Sequence, residues 1–346
     1  MAVKGIYDYS RERLEAYFLE KKLAKFRATQ IFEALYRIRI SAFSQITNIK
    51  KEVIAQLEQD FTFPKLEIVT KNVARDGTTK FLFRLEDQSL IETVLMIHDY
   101  GYSVCVTSQV GCNMGCAFCA SGMTKRIRNL TPAEMVLQVL TIDNYLRQEE
   151  KRVSHVVIMG IGEPFDNYDN VIEFIKIIND PKGLEIGARH ITLSTCGIVP
   201  KIYEFAELSL QVNLAISLHF ANDEKRSRYM KINKKYPLKA LITALKDYFQ
   251  KTKRRITFEY ILLKGINDSL EDAKELCDLI RGLNCYVNLI PYNETGGIFK
   301  RSDEKVRDQF FDYLIKNKIN AIIRKEHGHD INAACGQLRV QKMKEK

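Results

Sequence analysis

No stretch of this sequence approaches the run of about 18 apolar residues that a membrane-spanning helix needs, so a helical membrane protein is excluded. The opening residues, MAVKGIYDYSRERLEAY, lack the apolar segment of a secretory signal, and the expected compartment is the cytoplasm. Internal repeats are absent, which removes solenoids and propellers, and only the tail QKMKEK reads as disordered. Missing too is any pair of C-x2-C knuckles, the usual frame of a structural zinc site. Acidic residues are outnumbered, 43 against 53 Lys and Arg, leaving a net charge of +10. That balance favours a polyanionic partner such as nucleic acid, although a well-solvated basic surface would look the same.

What remains is an ordinary globular composition, 46% hydrophobic and 28% charged over 346 residues. This length fits one large core plus a smaller appendage. Eight cysteines without a secretory signal argue for metal or redox chemistry over a disulfide framework.

Residues 1–60 carry helical spacing of apolar side chains, with Leu14, Tyr17 and Phe18 followed by Ile31 and Leu35, and read as a small helical accessory domain. Across 61–98 the pattern changes to short β-rich runs, LEIVT, KFLFRL and LIETVLMI, with Asp76-Gly77 as a hairpin signal. From 99 to 339 the strands YSVCVTS, HVVIMG, HITLST, VNLAISL, ITFEYILL, CYVNLIP and NAIIRK are separated mostly by helical stretches, the cadence of an α/β parallel sheet or barrel with six or seven βα units. Helix starts are legible at Thr131-Pro132-Ala133-Glu134 and at Ser269 to Asp272, both with capping-box chemistry. Residues 340–346 form the tail.

Just after a predicted strand, Cys112, Cys116 and Cys119 share one loop, GCNMGCAFCASG, in which Gly111, Gly115 and Gly122 permit tight turns. Iron-sulfur clusters are normally held by four cysteines, so a compact set of three leaves one iron open to a small-molecule ligand. The competing readings are a zinc site that recruits Cys105 and simple buried thiols. Unusual residues also fall at strand ends, where a βα barrel keeps its chemistry: Gly160 to Pro164, including Gly162 and Glu163; Ser194 to Gly197; Ser217-Leu218-His219; and Asn293. Together they offer donors and acceptors for a polar cofactor.

The CxxxCxxC spacing with an aromatic before the third cysteine resembles the radical S-adenosylmethionine (SAM) superfamily. That resemblance implies a 4Fe-4S cluster on Cys112, Cys116 and Cys119, SAM on its open iron, and a partial (β/α)6 barrel. More narrowly, SQVGCNMGCAFCAS, MGIGEPFDNYDNV, GARHITLSTCGIVPKI, LAISLH and DINAACGQL resemble the RlmN family of dual-specificity RNA methyltransferases, from about residue 10 to 339. The resemblance implies methylation of C2 of adenine-2503 in 23S rRNA and of adenine-37 in tRNA. Cys335 matches the cysteine that is methylated by one SAM and then loses a hydrogen atom to a radical made from a second. Cys105 matches the thiol that releases the protein-RNA adduct and leaves a Cys105–Cys335 disulfide, and Glu92 matches the proton acceptor. Cofactor contacts fall on Gly162, Glu163, Pro164, Ser194, Ser217, Leu218, His219 and Asn293. The expected partners are 23S rRNA, tRNA and an electron donor such as flavodoxin or ferredoxin, with no membrane and a monomeric chain.

The related Cfr-type group methylates C8 of the same rRNA adenine; the Glu-Pro after MGIG and the following DNYDNV are more like the C2 group, and the other alternative is a non-catalytic RNA-binding protein with a structural zinc or iron-sulfur site. Met123-Thr124-Lys125-Arg126 departs from a loop that often bears glycine in the family. Basic groups expected to hold RNA are Lys125, Arg126 and Arg128, then Lys231, Lys234 and Lys235, whereas Lys253 to Arg255 read as a solvated helix end. Cys196, Cys277 and Cys285 read as packing.

Overall fold

The structure, a computed structural model, describes residues 4–294, 297–328 and 331. The chain begins with strand β1 (Lys4–Gly5) and helices α1 (Arg11–Glu20), α2 (Phe26–Glu33) and α3 (Lys51–Asp60), and β2 (Phe61–Thr62) returns to pair in parallel with β1. Ser10 caps α1, its hydroxyl accepting from the Arg13 N–H at 3.4 Å. Leu14, Phe18, Ile31 and Leu35 are buried, as their spacing predicts, and Tyr17 donates from its hydroxyl to Asp60 at 2.8 Å. A wide turn, Ala34–Ile38, ends at Arg39 in the left-handed region, φ 69°.

Three antiparallel strands follow: β3 (Glu67–Val73), β4 (Thr79–Arg84) and β5 (Leu90–His98). The β3–β4 turn is the predicted one, with Gly77 at φ 82° and Asp76 accepting from the Thr78 N–H at 2.9 Å. The chain continues into β6 (Gly101–Cys105). Two short strands, β7 (Gln109–Val110) and β8 (Arg128–Asn129), pair across the base of the cysteine loop.

The remainder alternates: α4 (Pro132–Arg147), β9 (Val153–Ile158), α5 (Tyr168–Asn179), β10 (Ile191–Thr195), α6 (Val199–Ala206), β11 (Asn213–Ser217), α7 (Asp223–Tyr229), α8 (Ile232–Lys235), α9 (Leu238–Thr252), β12 (Ile256–Leu262), α10 (Leu270–Ile280), β13 (Cys285–Pro291), α11 (Glu304–Lys316) and β14 (Ala321–Ile323). Among the described residues these strands form one ten-stranded sheet, β14-β13-β12-β11-β10-β9-β6-β5-β4-β3, and β6 with β9 to β14 is parallel throughout. The architecture is α/β, a partial barrel with the antiparallel extension on one edge. The strand predicted to run through Ser108 stops at Cys105, because Thr107 leaves the ladder to donate its N–H to the Gln138 side chain at 2.9 Å.

Both predicted capping boxes form, at Thr131 with Glu134 and at Ser269 with Asp272. Strand alternation then sorts the side chains. On β12, Ile256, Phe258, Tyr260 and Leu262 are fully buried in the apolar core. Glu259 takes the other face, level with Ser217 on β11 and Asn288 on β13. The core is continuous from Leu14 and Phe32 of the helical unit to Leu314 at the far edge.

Candidate active site

The carboxyl ends of the parallel strands open onto a cavity of about 370 Å³. Cys112, Cys116 and Cys119 all border it. Their loop is fixed by backbone bonds: Cys112 N–H to the Thr124 carbonyl at 3.1 Å, Cys119 N–H to the Cys116 carbonyl at 3.2 Å, and Ala117 N–H to the Tyr229 carbonyl at 2.9 Å. Gly111 sits at φ 85°, and a Cβ there would lie 2.2 Å from the Lys125 carbonyl oxygen. Burial pushes the Cys112 thiol up to about 12, and the neighbouring Cys119 sulfur acts in the same direction. Cys116 is raised for the same reasons, burial first and then both partner thiols. For Cys112 and Cys116 a bound cation would offset the burial that opposes ionisation, which suits an iron-sulfur cluster. Among the described residues no three His, Cys, Asp or Glu groups converge on one ion. In a cubane each thiolate binds a separate iron, so its ligands surround a wider space.

Next to the thiols lie most of the strand-end residues named from sequence. Gly162 adopts φ 115° and lets Glu163 turn inward. The Glu163 carboxylate, 4% exposed, accepts from the Phe165 N–H at 3.0 Å and the Cys196 N–H at 2.8 Å, and burial raises its pKa. Ser194 and Ser217 approach through their hydroxyls at 3.3 Å. His219, in the left-handed region at φ 58°, accepts the Ile261 N–H on Nδ1 at 3.2 Å. Burial, reinforced by Arg226, depresses its pKa to about 3, so the ring is neutral with its proton on Nε2. Pro164 and Asn293 also border the cavity. Leu218 does not: strand alternation turns its side chain into the apolar core, where it is fully buried.

The inner wall carries Cys105 and Glu92, both at the cavity. Burial pushes the Cys105 thiol up to about 11, against the pull of Arg324. Glu92 is paired with Lys80 at 2.9 Å, with both side chains essentially inaccessible. Cys335 lies outside the described residues. Two inner-wall groups carry no expectation from the sequence, Glu259, which accepts from Asn288 Nδ2 at 2.9 Å, and Arg324, and neither does Lys80, buried behind Glu92. Lys80 and Glu259 are charged residues inside apolar strands, and that was the signal available. Arg324, just beyond β14, offered none.

Arg226 is fully buried and ties strand ends together, donating to the carbonyls of Leu218 at 3.1 Å and Cys196 at 2.7 Å and to Asn233 Oδ1 at 2.8 Å. Cys277 and Cys285 belong to the core, as expected, while Cys196 also borders the cavity. Among the basic groups, Arg126 pairs with Asp166 at 2.5 Å, and Arg128 pairs with Asp87 at 2.6 Å and Glu134 at 2.7 Å. Their first role is to hold the cysteine loop against α4, the turn before α5 and the β4–β5 turn. Lys231 passes over Gly115, its Cδ 3.3 Å from where a Cβ would stand. Arg254 donates to Asn213 Oδ1 at 3.0 Å and Arg255 lies over the Tyr286 ring, at the end of the strands away from the cavity.

A three-cysteine loop at the mouth of a partial parallel barrel, with polar groups at successive strand ends, defines a radical SAM enzyme, and residues 89–280 match the sequence model of the Radical SAM superfamily. Residues 5–62 match the model described as the ribosomal RNA large subunit methyltransferase N-terminal domain. The chain is 53% identical to the "Probable dual-specificity RNA methyltransferase RlmN" of Enterococcus faecalis, covering 99% of this chain and 98% of that one. It is 54% identical to the protein of the same name from Acholeplasma laidlawii, over 98% and 99%. The crystal structure of a radical SAM methyltransferase from Sphaerobacter thermophilus superposes with a TM-score of 0.90 at 41% identity, covering 96% of this chain and 98% of that one. This chain belongs to the RlmN family of radical SAM RNA methyltransferases, enzymes that work with a 4Fe-4S cluster and SAM. Among the described residues no helix is long and apolar enough to cross a membrane.

Proposed function

We propose that this enzyme methylates C2 of adenine-2503 in 23S rRNA and of adenine-37 in tRNA, through a methyl group carried on Cys335. The observation that supports this most is a second reactive centre, Cys105 with Glu92, in the same cavity as the three loop thiols, with Lys80 buried behind Glu92 and paired to it. A methyltransferase acting by direct transfer from SAM has no use for it. In this reading Cys112, Cys116 and Cys119 hold the cluster. Gly162, Glu163, Pro164, Ser194, Ser217, His219 and Asn293 hold SAM. When bound, the pair supplies one-electron reduction and hydrogen-atom abstraction, which an electron-poor carbon without an acidic proton requires.

The protein's own groups do the rest. Neutral His219 offers an Nε2 donor without adding charge beside the loop. Glu92, held by Lys80, accepts the proton lost from C2. Burial keeps Cys105 a thiol at neutral pH until it is called on to release the RNA from Cys335. The resulting disulfide must be reduced by an external reductant before the next turnover. The adenine must be unstacked to enter the cavity, and Lys231, Lys234 and Lys235 are the cations proposed to hold the flanking phosphates. A flavodoxin or ferredoxin is the proposed electron donor, and the enzyme is proposed to act as a monomer in the cytoplasm. The helical unit over residues 1–60 is proposed as a second RNA grip, 61–98 as an extension, 99–339 as the catalytic core and 340–346 as a tail.

The test is Cys105→Ala. With SAM and reductant, this variant is expected to retain RNA covalently, seen as a slow band on a denaturing gel that disappears in Cys105→Ala/Cys335→Ala. Free methylated RNA released by Cys105→Ala at the wild-type rate would contradict the assignment.

A further inference from the structure

At the amino-terminal ends of the strands, on the side of the sheet away from the active-site mouth, a second cavity of about 160 Å³ lies between the helical unit and the barrel. Tyr36, Arg37 and Arg39 enter it from the turn after α2, Asp143 and Arg147 from the end of α4, Arg152 from the residue before β9, and Glu185 from the loop before β10. Four guanidinium groups thus face two carboxylates. Asp143 is fully committed: Oδ1 accepts from the Val153 N–H at 2.8 Å, and Oδ2 from Arg39 Nη2 at 2.5 Å and Arg147 Nε at 3.2 Å.

Arg37 donates to the Pro181 carbonyl and pairs with Glu33, and Arg152 donates to the carbonyls of Leu184 and Glu185, but the innermost donors are not matched. The Nε and Nη1 atoms of Arg39 are buried without a partner, and so is the hydroxyl of Tyr36, a residue only 1% exposed. Unsatisfied buried donors are costly, and a guanidinium more than most. Arg37 and Arg147 are about half exposed, 48% and 50%, so the cavity communicates with solvent. Water would bring donors of its own into a space already rich in donors. A tetrahedral oxyanion brings acceptors on every side and the negative charge that the site lacks.

We propose that this cavity binds an oxyanion of the phosphate class. Arg39 Nε and Nη1 and the Tyr36 hydroxyl hold it from inside, and Arg37, Arg147 and Arg152 hold it at the rim. The anion bridges the helical unit and the barrel, and it is either free phosphate or a backbone phosphate of bound RNA.

The experiment uses the full-length protein. Calorimetric titration with inorganic phosphate, against chloride at matched ionic strength, is expected to give saturable binding at one site. Tyr36→Phe removes a hydroxyl that no protein group uses, so its melting temperature should hold while phosphate affinity falls roughly tenfold. Arg147→Gln/Arg152→Gln should weaken phosphate at least as much. tRNA affinity is then measured against salt for wild type and the double arginine variant. A logarithmic salt slope lowered by about one in the variant identifies an RNA phosphate as the occupant, whether or not free phosphate also binds. Phosphate binding with an unchanged RNA slope identifies free phosphate. No saturable phosphate binding together with an unchanged RNA slope would overturn the proposal.

Discussion

Lys80 and Glu92 form an ion pair with almost no solvent access, beside the thiol proposed to resolve the adduct. Removing one partner takes from the other a buried counter-charge that water cannot replace. Lys80→Met is expected to destabilise the protein by about 3–5 kcal/mol in urea unfolding, and Lys80→Met/Glu92→Leu to recover most of that. A loss of less than about 1 kcal/mol in the single variant would mean that water reaches the pair. His98 stacks on Tyr100 at 4.6 Å and meets the His327 ring at 4.7 Å. Burial first, then His327 and His155, depress its pKa from 6.5 to about 4. Between these values the unfolded chain takes up a proton that the folded chain refuses, so the stability from His98 is present above about pH 6.5 and is lost as the pH falls towards 4. The His98 ring signal in an NMR titration should stay flat through pH 6; a midpoint near 6.5 would contradict this. At this scale the sequence exposed the three loop cysteines and Glu163, whose spacing is chemical. Glu259 is marked only as a charge inside an apolar strand, and Arg324 reaches the cavity through strand register, a relation among distant segments that no local pattern carries.

At the scale of elements, the cysteine loop depends on backbone conformations that a side chain forbids. Gly111→Ala would force a Cβ to 2.2 Å from the Lys125 carbonyl oxygen at a positive φ. Iron and sulfide bound after anaerobic reconstitution should fall severalfold, with far-ultraviolet circular dichroism unchanged; full cluster loading would show that the loop can rearrange. The strands and helix starts are readable because their determinants are local: the apolar run KFLFRL, alternation on ITFEYILL, and the Thr131 and Ser269 capping boxes. The early end of β6 was not, since it depends on Thr107 finding Gln138 of α4.

Among the described residues the helical unit and the barrel share a large apolar core, with a smaller cluster of Phe118, Phe220, Met230 and Tyr292 apart from it, and the helical unit is bolted to the barrel by Arg11 with Asp180 at 2.9 Å, the Ser10 N–H with Glu173 at 2.9 Å and the Ala133 N–H with Asp8 at 2.8 Å. Deleting residues 1–62 would expose Leu130 to Val139 of the α4 region and the buried face of α5, so the remainder is expected to aggregate; a monomeric, cooperatively melting fragment by size exclusion and calorimetry would contradict that. Sequence separated these parts by pattern, since periodicity changes near residue 61, but the contacts that join them come from single polar residues that look like any surface charge. The central claim, methylation of adenine at C2, is tested most directly by mass spectrometry of nuclease-digested 23S rRNA after anaerobic incubation with the reconstituted enzyme, SAM and a reductant. Wild-type digests should contain 2-methyladenosine and Cys335→Ala digests none; 8-methyladenosine, or 2-methyladenosine made at an undiminished rate by Cys335→Ala, would contradict C2 methylation through Cys335.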